Sequence, residues 1–144
     1  MIKKILLPTD GSELSTKAIN GAVELAAAIQ ASIVGITVVE PYSYSSLSDY
    51  RPESFEDYEA RMEKAALERL AGLERAAAAA KVPVQTSVVK SFSPYEAIID
   101  AAGKHGCDTI FMASHGRRGL IAMLRGSETQ KVLTHSTIPV MVYR

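Results

Sequence analysis

The amino-acid sequence alternates short apolar runs with longer stretches of helical periodicity, and this alternation limits the fold more than any other feature. The apolar runs cover residues 2–7, 32–39, 82–89, 109–113 and 139–143. Short runs rich in valine and isoleucine are typical of strands that are covered on both faces. The third run alternates at Val84, Thr86 and Val88 and therefore predicts the least buried strand.

Between these runs the spacing predicts helices over residues 12–30, 53–81, 93–106 and 127–135. Ser12 is suited to cap the first helix, and Pro94 is suited to begin the third. Gly106 is expected to end the third helix, because glycine adopts the left-handed conformation common at helix C-termini. Ser127 and Gln130 have the spacing of a capping box at the start of the fourth. The first helix is predicted to bury Ala18, Ala22, Leu25, Ala26 and Ile29.

This pattern predicts an α/β fold with a doubly wound, Rossmann-like, five-stranded and mainly parallel sheet that has helices on both faces. The length of 144 residues predicts a single domain over residues 1–144. Among the possible strand orders we choose 3-2-1-4-5, in which the winding reverses between strands 1 and 4. Ligands of such sheets bind outside the carboxyl ends of the strands at the reversal. Loops 8–13 and 113–126 are therefore predicted to form the site.

The composition excludes several classes of protein. Sixteen Lys and Arg residues balance sixteen Asp and Glu residues, whereas binders of nucleic acid or anionic membranes are usually basic. A single cysteine excludes an internal disulfide framework and a multi-cysteine metal site. No apolar run approaches the ~20 residues of a membrane-spanning helix, and the apolar stretch before Pro8 is too short for a secretory signal. We therefore expect a soluble, cytoplasmic protein with no nucleic-acid or membrane partner.

The loop after the fourth run combines glycines with arginines and leads into the fourth helix at Gly126-Ser127. Glycine allows the backbone to approach a phosphate closely, and main-chain N–H groups at a helix N-terminus attract anions. The arginines at 117, 118 and 125 add positive charge. The alternative interpretation is a glycine turn with Ser127 as an N-cap and arginines in solvent. Neither a Walker loop nor a G-x-G-x-x-G dinucleotide motif is present.

The same loop resembles the nucleotide loop of the universal stress protein family, in which Gly-x-x-Gly is followed by nine residues and then Gly-Ser or Gly-Thr. Here Gly116 is followed by residues 117–125 and Gly126-Ser127, while Ala113 stands at the position of the first glycine. The start of the chain at 3–12 and its end at 132–142 are also similar to the family. The resemblance covers the whole chain and implies the strand order chosen above.

ATP-binding members of that family place the nucleotide across the reversal point, with Mg²⁺ or Mn²⁺ expected on the phosphates. By resemblance, Asp10 contacts the adenosine and the backbone of Val38 contacts the adenine, while Gly116, Gly126 and Ser127 hold phosphates. The full set of nucleotide contacts implied in this way is Pro8, Thr9, Asp10, Val38, Met112, Ala113, His115, Gly116, Arg117, Gly126, Ser127 and Glu128. The function implied is a nucleotide-dependent switch in the stress response.

Two of these residues depart from the simplest nucleotide site. Ala113 adds a methyl group that can crowd the ribose or require a backbone angle that alanine disfavours. Glu128 places a carboxylate beside the phosphates, although an acidic residue in the first turn also complements the helix dipole. Both favour the alternative function of a dimeric interaction module that binds no nucleotide. A slow ATPase is the least favoured function, because no residue stands out as a base that positions water, and we predict no catalytic residue and no protein metal ligand.

Two further interpretations concern Asp10 and the last strand. Asp10 can serve simply as an acceptor for loop amides, as aspartate often does in turns. The last strand, over residues 139–143, is an unguarded apolar edge in the chosen order, and such an edge invites pairing with a second strand. We therefore expect a homodimer joined through this strand, as the resemblance also implies, with a tetramer as a further assembly.

Overall fold

The computed structural model describes residues 1–43, 53–114 and 128–144. The elements of these segments, in chain order, are β1 (Lys4–Pro8), α1 (Glu13–Ile29), β2 (Ser32–Val39), α2 (Phe55–Ala79), β3 (Val84–Lys90), α3 (Pro94–Lys104), β4 (Thr109–Ala113), α4 (Glu128–His135) and β5 (Val140–Tyr143). The predicted capping box at Ser127 and the glycine loop from His115 onwards lie outside the described residues.

The five strands form one parallel sheet in the order β3-β2-β1-β4-β5, which confirms the predicted α/β fold and strand order. Leu6 of β1 pairs with Val34 of β2 on one side and with Ile110 of β4 on the other. Because all strands run the same way, the residues that follow β1, β2 and β4 lie together at the carboxyl ends of the strands. The winding of the sheet reverses between β1 and β4.

Side chains alternate between the two faces of the sheet and build two cores. One core lies under α1 and α2 and includes Leu7, Phe111 and Leu73. The other lies under α3 and α4 and includes Leu6 and Met112. Adjacent residues such as Leu6 and Leu7 therefore serve opposite faces, and both are fully buried.

The ends of the helices follow the expected chemistry. Ser12 caps α1, since its hydroxyl accepts a hydrogen bond from the Ser15 amide at 3.1 Å. Ser54 caps α2 in the same way through the amide of Asp57 at 3.1 Å. Gly106 follows α3 with φ +62, as predicted for a left-handed residue at a helix end.

Two predictions about burial are wrong, the first of them only in part. Ala18, Ala22 and Ala26 of α1 are buried as predicted. Leu25 is only partly buried and Ile29 is 39% exposed, while Ile19 and Val23 are buried instead. Alanines are spread around this helix, so its apolar periodicity defines the direction of the face weakly. The least buried strand is β5, rather than β3, because β5 lies at an edge of the sheet with its residues from Met141 onwards exposed.

Candidate functional site

The loop after β1 is held firmly against the start of α1. The hydroxyls of Thr9 and Ser15 are both buried and hydrogen-bonded to each other. The Asp10 amide points to the same Ser15 hydroxyl at 3.3 Å, and Asp10 Oδ1 accepts the Ser12 amide at 3.0 Å. Gly11 adopts φ +77, a conformation that glycine tolerates without strain. The loop therefore presents Asp10 from a fixed backbone.

The hydrogen bond from the Ser12 amide shows that Asp10 accepts a loop amide, as one of the two sequence interpretations of Asp10 predicts. A carboxylate has about four acceptor positions, and the Ser12 amide takes one of them. Pro8 and Thr9 precede it at the end of β1, and the Thr9 amide donates to Ile36 O at 2.9 Å. This bond joins the end of β1 to β2 two residues before Val38. The predicted contacts Pro8, Thr9 and Val38 therefore lie on neighbouring strands.

Arg69 of α2 also reaches this edge of the sheet. Its Nη1 lies 3.5 Å from Oγ1 of the fully buried Thr37, and its stem lies over Gly11, where an added Cβ would sit 3.0 Å from Arg69 Cγ. Sequence reasoning missed Arg69, because α2 carries several arginines among acidic residues and its periodicity does not show which of them faces a loop distant in the chain.

The end of β4 contributes Met112 and Ala113 on opposite faces of the sheet. Met112 is buried in the core under α3 and α4, and Ala113 packs against the other core. Ala113 is the last residue of β4, and the positive φ angles of non-glycine residues in the described segments occur only at Gln30 and Lys81. The backbone here therefore does not require glycine. The Ala113 carbonyl accepts a hydrogen bond from Thr129 Oγ1 at 2.9 Å, which joins β4 to α4.

Glu128, the first residue of α4, turns its carboxylate towards α3. Oε2 accepts the Tyr95 amide at 2.8 Å, and Oε1 pairs with Lys131 Nζ at 3.1 Å. Ser93 at the N-cap of α3 makes no side-chain capping bond, and Glu128 supplies an acceptor to an amide of the first turn of α3. Sequence reasoning did not foresee this bond to an amide 33 residues away.

An aromatic contact lies beyond the end of β2. The rings of Tyr42 and Tyr58 meet edge to face, with centroids 5.3 Å apart, and Tyr42 Oη donates to Glu53 O at 2.9 Å. The side chain of Glu53 makes two hydrogen bonds to the Arg61 guanidinium, both at 2.9 Å, and they lower the pKa of the Glu53 carboxyl. Residues on either side of 44–52 are thereby joined.

Of the predicted contacts, the structure places Pro8, Thr9, Asp10, Val38, Met112 and Ala113 at the carboxyl ends of β1, β2 and β4, with Glu128 at the start of α4. Five others lie outside the described residues, namely His115, Gly116, Arg117, Gly126 and Ser127. Within the described residues, no group of three His, Cys, Asp or Glu side chains is arranged to hold a metal ion. None of the helices described is long and apolar enough to cross a membrane.

Comparison with known proteins identifies the family. A model of the universal stress protein family matches residues 1–144. The universal stress protein YxiE of Bacillus subtilis is 34% identical over 149 aligned positions that include all of both chains. This chain therefore belongs to the universal stress protein family.

Solved structures share the fold. The structure of MJ0577 of Methanocaldococcus jannaschii has a TM-score of 0.81 at 26% identity, with 99% of this chain and 95% of that chain covered. A universal stress protein in complex with cAMP has a TM-score of 0.75 at 24% identity, with 99% and 97% covered. The universal stress protein of Archaeoglobus fulgidus in complex with dAMP has a TM-score of 0.69 at 15% identity, with 100% and 98% covered.

Proposed function

We propose that this protein binds an adenine nucleotide, with ATP as the expected ligand, at the carboxyl ends of β1, β2 and β4, and acts as a nucleotide-dependent switch in the stress response. The observation that carries the proposal is the anchored loop that holds Asp10 at the point where the winding of the sheet reverses. This is where open α/β sheets bind their ligands. Two structural neighbours were solved with adenine nucleotides, cAMP and dAMP, which supports adenine as the base.

In this proposal Asp10 accepts a hydrogen bond from the adenosine and the backbone of Val38 contacts the adenine. Met112 lies near the base, Ala113 near the ribose, and the phosphates, with Mg²⁺ or Mn²⁺, lie against the residues that precede α4. The extended backbone of Ala113 removes one objection to binding, because no left-handed conformation is needed there. A cytoplasmic location, expected from the sequence, completes the proposal.

The test is a calorimetric titration of nucleotide-stripped protein with Mg-ATP, repeated with Asp10→Asn. This change keeps an oxygen for the Ser12 amide and removes the charge. Loss of a hydrogen bond to a charged group typically costs 1.5–3 kcal/mol, so adenosine and ATP should both bind at least about tenfold more weakly. Asp100→Asn, on the exposed surface of α3, is the matched control and should bind like the unaltered protein. Absence of both heat and thermal stabilisation by ATP would overturn the proposal.

We also propose a homodimer that pairs through β5, with a tetramer as a further assembly. Met141, Val142 and Tyr143 of β5 are exposed by 38%, 37% and 36%, so the strand presents an apolar edge. The opposite edge of the sheet, β3, has four polar residues among its seven and is joined to α2 through Thr86–Glu74 and Lys90–Glu59. Edges of the first kind pair with other strands, whereas charged edges resist pairing.

Charge placed on either edge tests this assembly. Val142→Lys should convert the dimer to a monomer in sedimentation velocity, because a lysine on the pairing strand opposes strand addition. Gln85→Lys, an equivalent change on β3, should leave the dimer intact. An unaltered protein that sediments as a monomer at micromolar concentration would refute the proposed assembly. If the dimer forms but no nucleotide binds, the exposed surface of the chain favours the alternative function as an interaction module.

A further inference from the structure

Arg69 of α2 contacts the ends of two neighbouring strands at the candidate site. Its side chain is half-buried, and its Nη1 lies 3.5 Å from Oγ1 of Thr37, near the end of β2. Its stem lies over the loop that follows β1. A Cβ added at Gly11 would sit 3.0 Å from Arg69 Cγ, 3.4 Å from Cδ and 3.3 Å from Nε. One side chain therefore joins the loop after β1 to β2, at the carboxyl ends where ligands of such sheets bind.

The packing of α2 on the sheet explains why Arg69 reaches this place. One turn further along α2, the fully buried Leu73 packs over Gly35 of β2, whose missing side chain lets the helix come close. Four helical residues rise by about 6 Å, and two strand residues advance by about 6.6 Å. The step from Leu73 back to Arg69 therefore matches the step from Gly35 to Thr37, with α2 antiparallel to β2. The buried contact of Leu73 thus places Arg69 at the end of the strand.

The loop after β1 is held from two sides. On the side of α1, the Ser12 amide donates to Asp10 Oδ1 at 3.0 Å, and the Asp10 amide points to Ser15 Oγ at 3.3 Å. On the side of α2, the stem of Arg69 covers Gly11, the residue next to Asp10. Gly11 has φ +77 and no side chain of its own to pack, so the neighbouring stem supplies the contact. The position of the backbone that presents Asp10 therefore depends on Arg69.

We propose that Arg69 is a positioning residue of the nucleotide site, which holds the backbone of Asp10 and Gly11 against β2 and thereby strengthens the hydrogen bond between Asp10 and adenosine. This inference rests on the proposed adenine-nucleotide function. The part of the side chain from Cγ to Nε makes the contact with Gly11, so the shape of the stem matters more than the charge of the guanidinium.

The test compares Arg69→Ala, which removes the stem, with Arg69→Met, which keeps an unbranched chain over Gly11. Affinities for adenosine and for Mg-ATP are measured by calorimetry, under conditions in which circular dichroism shows each variant to be folded. Releasing the backbone of one residue is expected to weaken binding by about fivefold, the lower end of the usual range, because the hydrogen bonds to Ser12 and Ser15 remain. Arg69→Ala should weaken both ligands by this factor, and Arg69→Met should recover most of the loss. Arg75→Ala, on the exposed side of α2, is the matched control and should bind like the unaltered protein.

A double-mutant cycle separates positioning of Asp10 from a general loosening of the fold. In the Asp10→Ala background no carboxylate is left to orient, so adding Arg69→Ala should change the affinity for adenosine by less than about twofold. A purely structural role of Arg69 would weaken binding by the same factor in both backgrounds. The cycle therefore measures whether Arg69 acts through Asp10.

Three results would overturn the inference, and they are distinguishable. If Arg69→Ala binds both ligands as tightly as the unaltered protein, or if the two losses in the cycle simply multiply, Arg69 does not position Asp10 and the proposed function stands. If Arg69→Met binds as weakly as Arg69→Ala, the guanidinium is responsible and the role given to the stem is wrong. If the unaltered protein binds neither adenosine nor Mg-ATP, the proposed function fails and the inference fails with it.

Discussion

Gly35 in the middle of β2 permits an unusually close approach of α2 to the sheet, and Gly35→Ala should destabilise the fold. A Cβ at this position would lie well inside the 3.0 Å limit for real Cβ contacts with Cδ2 of Leu73, a residue with no exposed surface. Forcing an extra carbon into a packed core typically costs about 1–3 kcal/mol. Alanine also lowers the conformational entropy of the unfolded chain, which raises the free energy of unfolding by about 0.4–1 kcal/mol. The expected net loss is therefore about 1–2 kcal/mol.

Gly103 provides the matched control for this prediction. It lies on the exposed side of α3, and a Cβ there would meet nothing within 4 Å. Because alanine is favoured over glycine in a helix by about 0.8–1 kcal/mol, Gly103→Ala should raise the free energy of unfolding. The two alanine variants should thus differ by about 2–3 kcal/mol, the sum of these two opposite changes.

The assay is urea denaturation followed by circular dichroism at one fixed protein concentration, since dimerisation couples stability to concentration. A double-mutant cycle with Leu73→Ala identifies the cause. Leu73→Ala alone should cost about 2–5 kcal/mol, and adding Gly35→Ala in that background should cost little or restore stability, because the new methyl enters the vacated space. The reasoning is refuted if Gly35→Ala matches Gly103→Ala in stability, or if the two changes in the cycle are additive.

Three further predictions concern single contacts. Asp108 accepts hydrogen bonds from the amides of Lys3 and Lys4 at 2.7 and 2.8 Å, and these bonds hold the pKa of its carboxyl below the ordinary 3.8. The contribution of Asp108 to the free energy of unfolding is therefore present at neutral pH and lost as pH falls through the lowered pKa. The urea midpoints of Asp108→Asn and of the unaltered protein should converge on acidification. Thr129→Val, which removes the bond to Ala113 O, should cost about 1 kcal/mol in the same assay. Gly106→Ala should cost about 1 kcal/mol, because alanine is strained at φ +62.

The fold was predictable because its information is local and repeated. Alternating strand and helix patterns define the fold class. The strand order was chosen among several possible ones, the family resemblance implies the same order, and the structure confirms it. The cap at Ser12 and the glycine after α3 were predictable for the same reason, since each depends on residues within a few positions. The burial of α1 was harder to predict, because alanines on several faces do not indicate which one meets the sheet.

In the candidate site too, contacts between residues close in the chain were predictable and contacts between distant residues were not. Asp10 was predictable from the turn that carries it, because its partner Ser12 is two residues away. Arg69 was not, since its contacts with Gly11 and Thr37 depend on how α2 crosses the sheet. The exposure of β5 has a similar origin, because a strand at the edge of a sheet is covered only where another element reaches it.

Ala113 and Glu128 show what a family pattern alone does not tell about a residue, namely its backbone conformation and its contacts. The pattern has glycine where this chain has Ala113, yet the strand is extended there and needs no glycine conformation, so only the space beside the methyl group bears on a ligand. For Glu128, position along the chain places a negative charge at the start of α4, and the structure adds that the charge is fixed by Tyr95 and partly balanced by Lys131. A departure from a family pattern is therefore better treated as a measurable change in affinity than as the loss of a site.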